Sequence, residues 1–202
     1  MRGIRMFLPL GILLWSLASV PPTLAETSGA TAGVKQILDR AMDIQTRPDL
    51  AGEVNRKERA RLIQKLIADN FLSDQMARDS LAGHWGRLSP GQRSEFQSLF
   101  VVLFQDSYTR MVLNFLQQEN IEYRGESASG KGKLVKTVIM RSNEHIPVDY
   151  HAMQNGSRWM IQDVEIDGVS IVDNYRKTFD RSIRSGSVDN LLQRMRVQKQ
   201  AL

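Results

Sequence analysis

The chain has 202 residues and no cysteine, and its 27 lysines and arginines outnumber its 22 aspartates and glutamates, giving a net charge of +5 at pH 7. The lack of cysteine excludes disulfide bonds, thiol catalysis, thiolate zinc sites and iron–sulfur clusters. The basic excess is mild and spread along the sequence, which is typical of a solvated exterior. It also suits an anionic membrane surface, and we expect no nucleic acid partner.

Residues 1–25 have the organisation of a secretory signal peptide. Two arginines precede an apolar run over residues 6–20, which two prolines end. Thr23 and Ala25 place small residues at the positions that define cleavage. The alternative is a membrane anchor, but the run is shorter than the ~20 residues needed to cross a bilayer. We therefore expect an exported and soluble chain of residues 26–202, which is long enough for one domain with a core.

Three helices are predicted in the first part of the mature chain. Residues 26–33 are rich in small and polar residues and are predicted to form an N-terminal segment without regular secondary structure. A helical period of apolar residues follows over residues 34–45, and a second covers residues 55–69. Ser73 is predicted to cap a short third helix that ends at Gly83.

The strongest helix start in the sequence lies at Ser89. Serine is a preferred cap, Pro90 suits the first turn, and Gln92 occupies the capping-box position. The helix that follows has one wide apolar face, rich in phenylalanine, from Phe96 to Phe115.

The pattern changes to strands after Asn120. Alternating segments separated by glycine or asparagine are predicted as four strands, at 120–126, 133–141, 145–153 and 158–166. Helical periodicity returns over residues 169–184, and Ser187 is predicted to cap a last helix. Helices, then four strands, then helices indicate an α+β domain with helices packed on a curved antiparallel sheet.

Two segments resemble ligand-binding loops without completing them. Residues 125–132 resemble a phosphate-binding loop, but Gly132 stands at the magnesium-binding position and a strand follows instead of a helix. This segment is predicted to be a hairpin turn. Residues 163–168 resemble the start of a calcium loop, but Asn174 replaces the required glutamate. Its acidic residues are predicted to lie on the outer face of a strand, before a glycine turn.

The remaining polar residues do not form a catalytic or metal-binding pattern. The three histidines, His84, His145 and His151, lack ligand spacing. His151 is expected to face the same side as Asp149 and to form a polar pair with it. No serine lies in a nucleophile elbow. We therefore expect no catalytic residues, no metal and no cofactor.

The apolar residues are numerous enough to form either a dense core or a pocket. Aromatic residues and methionines occur along the long helix and on the predicted strands, and methionine suits adaptable apolar cavities. Sequence patterns alone do not separate the two interpretations.

Several motifs, in order, resemble the MlaC or toluene-tolerance family. The segment WMIQDVEIDGVSI at 159–171 resembles that family's signature W-x-[IV]-x-D-[VI]-x-[IV]-[ED]-G-V-S-[LI]. Further matches are MARDSLAGHW at 76–85, LSPGQRSEFQSLF at 88–100 and IPVDY at 146–150. Tyr108 falls where the family places a tyrosine. The similarity runs from about Val34 to Met195.

The resemblance implies an NTF2-like α+β fold with an apolar pocket between sheet and helices, and a single lipid-binding domain over residues 26–202. Members are periplasmic carriers that shuttle phospholipid between an inner-membrane ABC transporter complex with an MCE-type subunit and an outer-membrane lipoprotein–porin complex, which maintains lipid asymmetry. A hopanoid-associated relative of the same fold and, less favoured, an NTF2-like enzyme remain alternatives. The residues expected to contact lipid are Phe100, Phe104, Tyr108, Met111, Phe115, Val138, Met140, Val148, Tyr150, Met160, Val169 and Tyr175.

Overall fold

A computed structural model describes residues 29–116 and 119–202, so the predicted signal peptide lies outside the described residues. In this part of the chain the helices are α1 (Ala30–Thr46), α2 (Arg56–Asn70), α3 (Ser73–Leu81), α4 (Pro90–Phe115), α5 (Ile171–Arg184) and α6 (Val188–Gln200). Short 3₁₀ segments lie between α1 and α2, at Pro48–Leu50 and Glu53–Asn55, and between α3 and α4, at Ala82–Arg87. Within these ranges, no helix has the length and apolar character needed to cross a membrane.

The strands form one antiparallel sheet in chain order. They are β1 (Asn120–Ser129), β2 (Gly132–Met140), β3 (His145–Asn155), β4 (Arg158–Ile166) and the two-residue β5 (Val169–Ser170). The predicted α+β class is confirmed, and β5 adds a short fifth strand to the four that were predicted. Register shifts interrupt the ladder between Tyr123 and Gly125 and between His151 and Ala152. Such bulges bend a strand and increase its twist.

Local sequence signals place the starts of α4 and α6. Ser89 accepts a hydrogen bond from the backbone N–H of Gln92, and the Gln92 side chain accepts one from the backbone N–H of Ser89, so the predicted capping box is confirmed. Ser187 likewise caps α6. The predicted cap at Ser73 is wrong, because Leu72 is the cap residue and Ser73 already lies in the helix. The prediction that residues 26–33 lack regular secondary structure is also wrong from Ala30 onward, since α1 begins there.

Helix α1 lies across the sheet and contacts all four long strands, whereas α4 packs chiefly against α2, α3 and α6. Phenylalanine and tyrosine rings from α4 and α5 fill the space between α4 and α5. The Phe100 and Phe104 rings are stacked with centroids 5.9 Å apart, and the Phe100 ring meets Tyr175 edge-on at 5.2 Å. This dense aromatic layer supports the N-terminal half of α4 and leaves its C-terminal half facing the sheet.

The two loop-like segments have structural roles. Strand β1 continues to Ser129, so residues 125–132, which resemble a phosphate-binding loop, form strand and a tight turn at Gly130 and Lys131. Residues 163–168, which resemble the start of a calcium loop, include Asp163, and its side chain was predicted to lie on the outer face of the strand. Asp163 instead accepts hydrogen bonds from the Ser170 hydroxyl at 2.5 Å and from the backbone N–H of Val172 at 3.1 Å. It thereby ties β4 to the start of α5, where a carboxylate is also favoured by the helix dipole.

Candidate functional site

An apolar cavity of about 300 Å³ lies between the C-terminal half of α4 and the sheet. Helices α1 and α2 close it on the other sides. Among the described residues, its lining consists of hydrocarbon side chains, the thioether of Met111, two tyrosines and one charged residue, Arg141. Pockets that bind small molecules are of similar or larger volume and are likewise mostly apolar.

The cavity has a buried floor and an open rim. The floor contains Ile63 from α2, Val148 from β3 and Ile161 from β4, all buried. The rim contains Phe115, which is 54% exposed at the end of α4, and Arg141, which follows β2. A ligand that passes this rim moves between apolar floor and solvent past an aromatic ring and a guanidinium group.

Strand register determines which side chains face the cavity. Thr137 of β2 is paired with Val148 of β3, and Ile139 is paired with Ile146. Directly opposed residues point to the same face, so these four side chains point toward the helices. Thr137 is buried among them, and its hydroxyl donates a hydrogen bond to the backbone carbonyl of Val148 at 2.5 Å. That bond satisfies a buried polar group at the base of the site.

The last turn of α4 is held in place at the rim by two side chains from other elements. The Gln45 amide of α1 donates to the carbonyl oxygens of Val112 at 3.1 Å and of Leu116 at 2.6 Å. Arg141 donates to the carbonyl of Phe115 at 2.5 Å, and its guanidinium lies 5.6 Å from the centre of the Phe115 ring. Carbonyls at a helix C-terminus lack intrahelical partners, so these contacts fix the rim.

Two tyrosine side chains contribute to the cavity lining. Tyr108 and Tyr150 are both buried, and the Tyr108 ring packs on Phe71 at a centroid distance of 5.1 Å. Burial raises the pKa of both tyrosines well above the ordinary value, and their mutual proximity adds to the rise at Tyr150. Both therefore stay protonated and neutral near pH 7, so the lining keeps two neutral hydroxyl groups among its hydrocarbon side chains.

Five of the twelve residues expected to contact lipid line the cavity. These are Tyr108, Met111, Phe115, Val148 and Tyr150. Phe100, Phe104 and Tyr175 lie in the aromatic layer between α4 and α5 instead. Met160 and Val169 also lie outside the lining, since Met160 is buried beside the Asn155 amide and Val169 is exposed on β5.

Val138 and Met140 were expected to face the helical layer, and this placement is wrong. Val138 is paired with Pro147 and Met140 with His145, one residue out of phase with the cavity-facing positions. Because successive strand residues point to opposite faces, both side chains lie on the outer face of the sheet. Val135, Thr137 and Ile139 are the inward residues of β2.

The residues that sequence interpretation missed come mainly from the first two helices. Ile37, Leu38 and Ala41 of α1 and Ile63, Leu66 and Ile67 of α2 line the cavity. Their helical periodicity was visible, but nothing in the periodicity separates a face that packs on protein from one that borders a cavity. Ile146, Ile161 and Ile166 of the sheet were missed for the same reason.

The polar residues outside the cavity form pairs that stabilise structure. His151 Nε2 lies 3.4 Å from Glu165 Oε2, and His151 Nδ1 lies 3.3 Å from the Ser129 hydroxyl. The expected pairing with Asp149 is therefore replaced by one with Glu165. Across the described part of the chain, no three histidine or acidic residues lie close enough to hold a metal ion.

Comparison with known proteins connects this cavity to a family. The model of the MlaC protein family matches residues 35–197. A solved structure of a phospholipid-binding protein from Ralstonia solanacearum, determined in complex with a phospholipid, superposes with a TM-score of 0.72 at 21% identity. The match covers 86% of this chain and 98% of that one, which shows that the two share a fold. No curated protein matches this chain by sequence.

Proposed function

This chain belongs to the MlaC family, and on that premise we propose that it is a soluble periplasmic carrier that holds phospholipid acyl tails in its apolar cavity. It would shuttle lipid between an inner-membrane ABC transporter complex with an MCE-type subunit and an outer-membrane lipoprotein–porin complex. The observation that carries the proposal is the cavity of about 300 Å³ with one charged residue at its open rim. The phospholipid in the related structure supports the same ligand class.

The energetics of lipid transfer explain why an apolar cavity suits this role. Lifting two acyl chains from a bilayer exposes about 30 methylenes, which at ~0.8 kcal/mol each costs on the order of 20 kcal/mol. A carrier has to replace that contact with apolar lining. The cavity of about 300 Å³ is at the lower end of the ~300–1,000 Å³ range of ligand pockets, so a ligand with two acyl tails has to widen it. The partly exposed residues of the rim are the place where widening breaks the fewest buried contacts.

The lining favours binding over catalysis. An NTF2-like enzyme would need a base near its ligand, and the titratable groups along this lining are Arg141 and two tyrosines. Burial raises the pKa of Tyr108 and Tyr150, so neither tyrosine accepts a proton near neutral pH. The carrier role requires only apolar surface.

Mass spectrometry of the lipid bound to protein purified from its native periplasm tests the proposal. We expect phospholipid in stoichiometric amount, and its transfer from donor to acceptor vesicles when protein is added. Bound hopanoid would identify the hopanoid-associated alternative. Protein that carries no lipid from a native extract and transfers none between vesicles would contradict the carrier role.

A further inference from the structure

Arg141 belongs to two adjoining depressions of different chemistry. It is the one charged residue in the described lining of the apolar cavity, and it also lines a polar groove on the other side of the rim. The groove contains Arg56 and Arg59 from α2, together with Glu53 and Glu119. An amphipathic molecule with its tails in the cavity would therefore place its head group in this groove, directly beyond Arg141.

The charges of the groove favour an anion. Three arginines face two glutamates there, so the groove carries a net positive charge. Arg59 is engaged with the backbone, since its guanidinium donates to the carbonyls of Leu50 at 2.5 Å and Gly52 at 2.7 Å. Arg56 and Arg141 have 43% and 28% of their side chains exposed. Arg56 donates to the Asn114 side-chain oxygen at 2.9 Å and lies 3.6 Å from Glu53, through side-chain contacts at the surface. These two are the arginines able to reach a ligand.

The guanidinium of Arg141 is held in position and keeps donors available. Its Nη2 atom donates to the Phe115 carbonyl and lies 3.3 Å from Glu119. Its Nη1 atom lies 3.9 Å from Glu144. A guanidinium has five N–H donors in a planar fork that matches phosphate geometry, so anchoring through Nη2 leaves other donors for phosphate oxygens.

We propose that Arg141, assisted by Arg56, binds the phosphodiester of the lipid head group and selects lipids that carry this phosphate over neutral lipids with the same tails. The proposal rests on the proposed carrier function and names the head-group chemistry that the rim recognises. Hydrogen bonds to charged groups are stronger than neutral ones, and beside an apolar cavity they are only partly screened by water. The selection therefore acts at the rim, while the cavity supplies affinity for any tail of suitable length.

Displacement of the neutral dye N-phenyl-1-naphthylamine from the cavity measures this selection. The competitors are dioleoylphosphatidylglycerol and dioleoylglycerol, which have the same acyl chains and differ in the phosphodiester head group. For wild type we expect phosphatidylglycerol to compete about 10- to 100-fold better, the range of one or two charge-assisted hydrogen bonds. In Arg141→Gln this ratio should fall close to one, with dioleoylglycerol competing as before, and Arg141→Lys should retain part of it.

Matched variants separate a specific contact from loss of charge. Arg124→Gln removes one positive charge from β1, where Arg124 pairs with Glu122 and borders neither depression, so the ratio should not change. If Arg141→Gln fails to fold, Arg56→Gln decides the question. Arg56 lines the groove but not the cavity, so its loss should lower the ratio without affecting dye binding.

The outcomes distinguish this proposal from the carrier function itself. If both lipids displace the dye from wild type equally well, the carrier function stands and the head-group proposal is overturned. If neither lipid displaces the dye, the carrier function fails. Calorimetric titration with inorganic phosphate covers the other source of the anion. Binding of free phosphate as tight as that of the phospholipid would make the rim a phosphate site and overturn the proposal.

Discussion

Val148→Trp should block the cavity while leaving the protein folded. Val148 is buried on the cavity floor, with Thr137 and Ile166 opposite it on the neighbouring strands. An indole adds about seven heavy atoms to the site, and these displace tail carbons of the ligand. Displacement of only four methylenes at ~0.8 kcal/mol each would cost about 3 kcal/mol, which is more than 100-fold in Kd.

The adjacent cavity distinguishes this position from an ordinary core position. Val164 of β4 is fully buried, faces the same layer through its pairing with Tyr150, and lies outside the cavity lining. Val164→Trp has no free volume to enter, so it should overpack the core and cost about 1–3 kcal/mol. Val148→Trp, which can extend into the cavity, should cost clearly less.

The assay measures melting temperature and bound phospholipid together for wild type and the two variants, each purified from the same native extract. We expect Val148→Trp to lose lipid at nearly unchanged lipid-free stability, and Val164→Trp to lose stability. The cavity argument is refuted if Val148→Trp retains wild-type lipid, or if its lipid-free form melts as low as that of Val164→Trp.

Three further predictions concern the turn at Gly168, the loss of stability above pH 10, and cleavage of the signal peptide. Gly168 has a φ of +76° and open space where a Cβ atom would stand, so Gly168→Val should cost about 1–3 kcal/mol through backbone strain alone; Gly83→Val, in open space without a positive φ, is the control, and equal melting temperatures would contradict the strain. Burial raises the pKa of Tyr123 to about 12, so the stability that the neutral Tyr123 side chain contributes is complete below pH 10 and falls as the pH rises toward 12. Tyr123→Phe should therefore make the free energy of unfolding, measured by chemical denaturation, less dependent on pH between 10 and 12. An unchanged pH dependence would contradict the raised pKa. Intact-mass measurement of periplasmic protein should give a chain starting at Glu26, whereas a mass that retains residues 1–25 would contradict cleavage after Ala25.

The features that were predictable from sequence are those that depend on neighbouring residues. The capping box at Ser89 and Gln92 needs only a four-residue pattern, and the structure contains both of its hydrogen bonds. The four long strands and the apolar face of α4 follow in the same way from periodicity. The family signature at 159–171 extended this local information to the fold, because its residues connect β4, the turn at Gly168 and the start of α5.

The composition of the cavity was less predictable because it depends on which face of each element points inward. Strand β2 has apolar residues on both faces, with Val138 and Met140 alternating against Val135, Thr137 and Ile139. The first face also carries the exposed Lys136, a charge that marks the solvent side, and the prediction gave it less weight than the hydroxyl of Thr137. The structure buries the second set, because the Thr137 hydroxyl finds a partner in the Val148 carbonyl. That partner belongs to another strand and is invisible in the local sequence.

The cavity also sets the relation between binding and stability in this fold. An empty volume of 300 Å³, at ~24 cal/mol per Å³, corresponds to about 7 kcal/mol of lost packing, an upper bound because the rim is open to water. That loss is comparable to the whole stability of a typical domain, about 5–15 kcal/mol. The Phe104 ring stacks on Tyr108 of the lining with centroids 5.6 Å apart, and the anchored end of α4 borders the rim, so both support the cavity walls. Under the proposed function, a bound tail would restore the missing contacts, so ligand binding would raise folding stability by linkage, and release of the lipid would cost that same binding free energy once.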